Sequence, residues 1–217
     1  MRHIHSKIWL YSELVLLMVV LPSVLALVFS TRYLLPVMWL TTFYCHLMYR
    51  VVSCTPTRVW WGASAVTWAN LKPILLRFVL CASAMALLTW AFAPQLLFGF
   101  VTEKPALWLM VMLLYPVLSV VPQEIIFRSF FFARYPRLFD TKWAMILASG
   151  VTFGLAHLIF HNWVAPVLCL IGGVLFAMTY HRHRSLLLVA IEHALYGDFL
   201  FTIGLGRYFY HGAVGAA

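Results

Sequence analysis

Three stretches of this chain contain no Asp, Glu, Lys or Arg at all: residues 78–102, 105–123 and 143–180. A helix needs about 20 apolar residues to cross the hydrocarbon core of a bilayer, so the last run is long enough for two crossings. Inside lipid every backbone N–H and C=O must be paired, which leaves only helices and closed barrels. The runs show no apolar–polar alternation, and a barrel is thereby excluded. Composition agrees, with 64% hydrophobic and only 10% charged residues where a soluble domain carries about 25% charged. The mean hydropathy is +0.94. The fold class is therefore all-α, a polytopic membrane helix bundle.

The apolar pattern predicts about seven transmembrane helices, at roughly 8–29, 33–50, 74–94, 105–136, 143–160, 163–180 and 185–206. The fourth is too long for one straight crossing, and the turn between the fifth and sixth is expected at His161-Asn162, beside Pro166. The first span follows Arg2 and Lys7 as a signal peptide would. It holds Glu13, lacks a small-x-small exit and is long, so it reads as a retained helix. Between the second and third spans, Trp60, Trp61 and Trp68 alternate with Arg58, Lys72 and Arg77. That mixture predicts an interfacial amphipathic helix capped by Thr55, with Pro56 in its first turn. Residues 1–217 read as a single transmembrane domain without internal repeat or linker.

The net charge of +9 comes from 15 basic and 6 acidic residues. In a soluble protein it would suggest a nucleic-acid partner; here the basic residues collect in the connections and set topology. Arg2 and Lys7, then Arg50, Arg58, Lys72 and Arg77, then Arg134, Arg137 and Lys142, then Arg182 and Arg184 all fall on one side. Only Arg32, Lys104 and Arg207 fall on the other. This arrangement puts the N-terminus in the cytoplasm and the C-terminus outside, as in a bacterial inner-membrane protein. The "HRHR" at 181–184 reads as a positive-inside loop rather than a metal tract. Cys45, Cys54, Cys81 and Cys169 show no C-x-x-C spacing and read as packing residues.

Topology leaves several ionisable residues unexplained: Glu13, His46, Glu124, Arg128, His157, Glu192, His193 and Asp198. Ionisable groups within apolar spans face a bundle interior or a wet cavity and mark function by default. Glu13 and His46 stand alone and read as structural. Glu124 and Arg128 are four apart on one helical face, as are Phe153 and His157 on the next span. Counting from the 137–142 connection at 1.5 Å per residue, Glu124 and His157 both lie roughly 20 Å deep, level with each other. His193 lies about 12 Å past Ser185 and approaches with modest tilt. A carboxylate and two imidazoles meeting in a low-dielectric site can activate water and stabilise an oxyanion. They can also hold a divalent metal such as zinc, or serve only as a polar network between helices.

The three motifs together resemble the CPBP (Abi, or CAAX-type) family of intramembrane glutamic endopeptidases. The family pattern is E-E-x-x-x-R, then F-x-x-x-H, then H-x-x-x-N/D, each on its own membrane helix. Here it reads Gln123-Glu124-Ile125-Ile126-Phe127-Arg128, then Phe153-Gly154-Leu155-Ala156-His157, then His193-Ala194-Leu195-Tyr196-Gly197 followed by Asp198. The resemblance covers about residues 105–206; residues 1–104 carry no recognisable motif. It implies cleavage of peptide bonds near the membrane surface, in substrates such as prenylated C-termini or secreted precursors. Glu124, His157 and His193 would be catalytic, His157 with the glutamate in water activation and His193 with its downstream polar residue at the oxyanion. Gln123, Arg128, Phe153, Asp198 and Glu192 would support them, Arg128 by holding a carboxylate ionised and Glu192 as an inter-helix partner.

Two departures stand out. Gln123 replaces the glutamate most often given the base role, and an amide accepts no proton at neutral pH. Gly197 replaces the polar residue of the third motif; a wide turn there would bring Asp198 into line. The expected function is endopeptidase action on a membrane protein or lipid-anchored peptide, without nucleic acid, in C-terminal processing of exported proteins. The cofactor is unknown, either none or a divalent metal such as zinc, which Glu124, His157 and His193 would hold. Two alternatives remain open: an inactive relative serving as a scaffold or immunity-type protein, and a haem- or metal-carrying protein liganded by His157 and His193.

The charge clusters make the topology testable. A phosphatase reporter fused after Ala217 is expected to be active outside, and one inserted within 138–141 to be silent. The opposite pattern would reverse the expected orientation.

Overall fold

The structure, a computed structural model, describes residues 6–28, 33–53 and 61–209. Every regular element among them is helical. Seven long helices run as α1 (Lys7–Leu27), α2 (Leu34–Ser53), α3 (Trp68–Phe92), α4 (Pro105–Arg134), α5 (Lys142–Phe160), α6 (Val164–His183) and α7 (Leu186–Thr202). Among the described residues, five are long and apolar enough to cross a membrane: α1, α3, α4, α5 and α6. The expected seven crossings thus reduce to five on length and apolarity. Helix α7 has 17 residues, and α2 dilutes its apolar residues with Thr41, Thr42, His46 and Arg50.

The start of the expected interfacial helix, with its cap and first turn, lies outside the described residues. Thr55, Pro56, Arg58 and Trp60 lie outside the described residues. Trp61 is helical, and between it and Trp68 the backbone makes a short 3-10 turn, Ala63–Ala65. Trp68, Lys72 and Arg77 belong to α3, which therefore begins six residues before the expected 74. Charge explains the continuation. Arg77 reaches inward to the buried carboxylate of Glu192 on α7 and donates to Thr179 Oγ1 on α6 at 2.9 Å. Arg134, likewise expected among the topogenic charges, is buried; its Nε pairs with Glu13 Oε2 at 2.6 Å. Tyr44 donates to the other oxygen of Glu13, also at 2.6 Å. Glu13 thus joins α1, α2 and α4, the structural role its isolation suggested.

Helix α4 changes character along its 30 residues. Its first half is largely exposed, whereas from Glu124 to Phe132 it is fully buried. It is interrupted by two π-helical turns, Pro116–Val120 and Ile125–Phe130, with the short α segment Val121–Glu124 between them. The prolines account for part of this, because each removes an N–H from the ladder. The carbonyl that Pro122 leaves free, that of Leu118, accepts instead from the indole of Trp39 at 3.0 Å. Thr42 donates to Pro122 O at 3.4 Å and Ser149 to Phe127 O at 2.8 Å. Neighbouring helices thus satisfy the backbone where the ladder widens, as lipid requires.

Helices α5 and α6 are joined at the turn expected from the sequence. His161 adopts φ 52°, and Asn162 Oδ1 accepts from Ala165 N at 2.9 Å, capping α6. The pair packs through small residues: a Cβ at Gly150 would lie 2.5 Å from Val174 Cγ2, and one at Gly173 only 3.1 Å from Gly150 Cα. Backbones approach closely because no side chain separates them. Gly150→Leu is expected to destabilise the bundle by about 1–3 kcal/mol through overpacking, measured by denaturant titration in micelles.

Candidate active site

The α segment between the π turns carries Gln123 and Glu124, and their side chains diverge. Glu124 is completely buried. Its Oε1 accepts from His193 Nδ1 on α7 at 2.7 Å, and its Oε2 lies 3.2 Å from Arg128 Nε. Arg128 has no solvent exposure either; its guanidinium rests over the rings of Phe153, at 4.7 Å, and Phe176, at 5.8 Å. Two ring faces and one carboxylate compensate a cation that lipid would not tolerate alone.

Phe153 is the hub that joins the motifs. Its ring touches the imidazoles of His157 at 4.7 Å and His193 at 5.5 Å, as well as Arg128. Its carbonyl pairs with His157 Nδ1 at 2.8 Å. A carbonyl only accepts, so Nδ1 carries the hydrogen and the neutral ring presents its lone pair at Nε2. His157 stands where α5 tightens into the 3-10 turn His157–Phe160, which ends the helix at the site. His193 is stacked on Phe176 of α6 at 4.6 Å, 21° from parallel. Its Nε2 meets Tyr115 Oη at 3.2 Å.

These groups border a cavity of about 820 Å³ whose wall includes Gln123, His157, His193, Tyr115 and Phe153. Leucines and methionines of α1, α2 and α3 line the cavity together with apolar residues of α4 to α7, and apolar surface dominates. Glu124 and Arg128 are not part of the wall; they lie behind His193. Gln123 is the α4 motif residue that faces it. Its amide nitrogen donates to Ser119 Oγ at 2.8 Å, while its Oε1 is buried without a partner among the described residues. One N–H of the amide is thus held by Ser119, and the carbonyl oxygen is free to accept.

The remaining expected residues lie elsewhere. Glu192 is fully buried and paired with Arg77, joining α7 to α3 and away from the cavity. Asp198 does not join His193. Helix α7 stays α-helical through Gly197, with no wide turn to swing Asp198 round, and its Oδ1 has no partner among the described residues. The wide turns are on α4 instead. No three of the described His, Cys, Asp and Glu side chains are grouped to hold a metal. His157 keeps Nε2 free, but both nitrogens of His193 and both oxygens of Glu124 are engaged, so the three side chains offer one open donor and do not fit a metal or a pair of haem-iron ligands. Cys45, Cys81 and Cys169 are free thiols, and Cys54 lies outside the described residues.

Tyr115, Ser119 and Phe176 were not singled out by the sequence reading. A signal for two of them existed: Tyr115, Ser119 and Gln123 recur every four residues, a polar stripe along one face of α4.

Residues 104–197 match the family model described as Rce1-like, the type II CAAX prenyl endopeptidase Rce1-like proteins. This match covers α4 to the third motif and agrees with the resemblance to the CPBP (CAAX-type) family of membrane-embedded proteases. No curated protein and no solved structure matches the chain.

The pairing makes a stability prediction. Glu124→Gln keeps an acceptor for His193 but leaves Arg128 without its counter-charge. A loss of about 3–5 kcal/mol is expected, read by denaturant titration in micelles.

Proposed function

We propose that this chain is an intramembrane endopeptidase that hydrolyses a peptide bond of a membrane protein or lipid-anchored peptide, close to the membrane surface. The observation that carries this reading is the Glu124–His193 pair, 2.7 Å apart, whose imidazole borders one apolar cavity together with a His157 of fixed tautomer. His157 Nε2 is the general base. Gln123 Oε1, a buried acceptor without a protein partner, orients the water it deprotonates; an amide can do this without taking the proton. The water oxygen bonds to the carbonyl carbon, its proton passes to His157, and the carbonyl electron pair moves onto oxygen. As the C–N bond breaks, His157 returns the proton to the leaving amine. Glu124 accepts from His193 Nδ1–H and so fixes that ring beside the developing oxyanion, with its Nε2 edge on Tyr115 Oη, while Arg128 balances the carboxylate.

The apolar cavity suits a substrate delivered from the bilayer, and the charge clusters favour an opening in its outer half. Trimming of exported proteins next to their membrane anchors fits both. The test uses the purified chain in vesicles with internally quenched peptides, each bearing a single acyl, prenyl or transmembrane anchor. The native chain is expected to cleave at least one. His157→Ala and His193→Ala are each expected to lower kcat by about 10³-fold with folding retained, and His161→Ala to do much less. Gln123→Leu is expected to lower it by about 100-fold, and Gln123→Glu to hold it within about tenfold. A native chain that cleaves nothing, with Gln123→Glu switching cleavage on, would instead identify an inactive relative.

A further inference from the structure

The third motif lacks a polar residue at 197, yet the space beside His193 is not empty. A Cβ built on Gly197 would collide with Tyr115 at Cε1 and Oη, and would lie 2.6 Å from Cζ. A tyrosine at 115 in this pose and any side chain at 197 are mutually exclusive. The tyrosine hydroxyl lies 3.2 Å from His193 Nε2, the ring stands edge-on to the imidazole at 80°, and Phe201 braces it from α7 at 5.3 Å. Positions 193 and 197 are one helical turn apart on the same face, so a polar side chain at 197 would address the same imidazole.

We propose that Tyr115 supplies, from α4, the hydroxyl that takes the place of the missing polar residue on α7 and donates to the oxyanion. Gly197 is then the residue that admits it. The proposal rests on the endopeptidase reading above. Glu124, His193 and Tyr115 form a single chain, with the carboxylate on Nδ1 and the phenol on Nε2. When both ring nitrogens carry hydrogen, His193 donates to Glu124 and to Tyr115 Oη together. The phenol's own hydrogen is then free to point into the cavity, whose wall Tyr115 and Gly197 both form. Its position is set by α4 itself: Tyr115 immediately precedes the π turn Pro116–Val120, on the polar stripe that continues through Ser119 to Gln123. The water-orienting amide and the oxyanion donor are thus presented by one face of one helix.

Tyr115→Phe keeps the ring and its packing and removes only the oxygen. On an anchored peptide that the native chain cleaves, it is expected to lower kcat by about 100-fold with KM within about twofold, the loss seen when one oxyanion donor is removed. Nitrogen NMR of the histidine side chains, assigned with His193→Ala, is expected to show the His193 Nε2 signal move in the same variant. Tyr115→Ala opens the space at 197, and the double variant Tyr115→Ala/Gly197→Asn is expected to recover at least about tenfold of what Tyr115→Ala loses. Tyr115→Phe with native kcat, or an unmoved His193 signal, would overturn the proposal. So would a folded double variant no better than Tyr115→Ala. If the native chain cleaves no peptide, the endopeptidase reading falls and the oxyanion role with it. A cleaving native chain with an unaffected Tyr115→Phe removes the Tyr115 role alone.

Discussion

A carboxylate with no solvent exposure, deep in a helix bundle, sets the terms for everything around it. Moving an isolated ionised group from water into such surroundings costs several kcal/mol even after relaxation. Glu124 is stable there because Arg128 lies on one oxygen and His193 on the other. Arg128 is in turn compensated by Phe153 and Phe176. Phe153 also anchors His157 through its carbonyl, and Phe176 carries the stacked imidazole of His193. Removing any one member leaves a polar partner buried without compensation. The charge requires the network, and the network fixes four helices around one cavity.

The geometry of α4 makes that arrangement possible. A regular helix separates adjacent residues by about 100°, which already sends Gln123 and Glu124 in different directions. The two flanking π turns widen the helix on both sides of the pair, at the point where it passes from the lipid-facing surface into the core. Such turns are costly in lipid unless other groups pair with the displaced carbonyls. Trp39, Thr42 and Ser149 do so from α2 and α5. The divergence separates two tasks that a repeated glutamate would share. Glu124 holds the histidine from behind, and Gln123 faces the cavity.

The same economy of space governs the outer ring of ion pairs. Glu13–Arg134 and Arg77–Glu192 each couple a basic residue near a membrane boundary to an acid on another helix. Both join the amino-terminal helices to the segment that matches the family model: α1 to α4, and α3 to α7. Residues before 104, which carry no motif, contribute part of the apolar wall of the cavity from α1, α2 and α3 and are tied electrostatically to the helices that carry the site.

The sequence by itself determined the solvent, the helical class and the three motif positions, because these depend on local composition and spacing. The long uncharged runs have one physical interpretation, and the four-residue spacing was enough to put Glu124 beside Arg128 and Phe153 beside His157. It also exposed Gln123 and Gly197 as departures. What it did not contain was which of Gln123 and Glu124 faces the cavity, since the orientation of a side chain depends on how the helix is wound. A wide turn was expected at Gly197, and the structure has it on both sides of Gln123-Glu124. Arg77 and Arg134 read as topogenic because charge counting cannot see a partner on a distant helix. Tyr115 read as one more aromatic in an apolar run. Only the tertiary structure decided that its hydroxyl meets His193, because that contact depends on a missing side chain 82 residues away (197 − 115) on another helix.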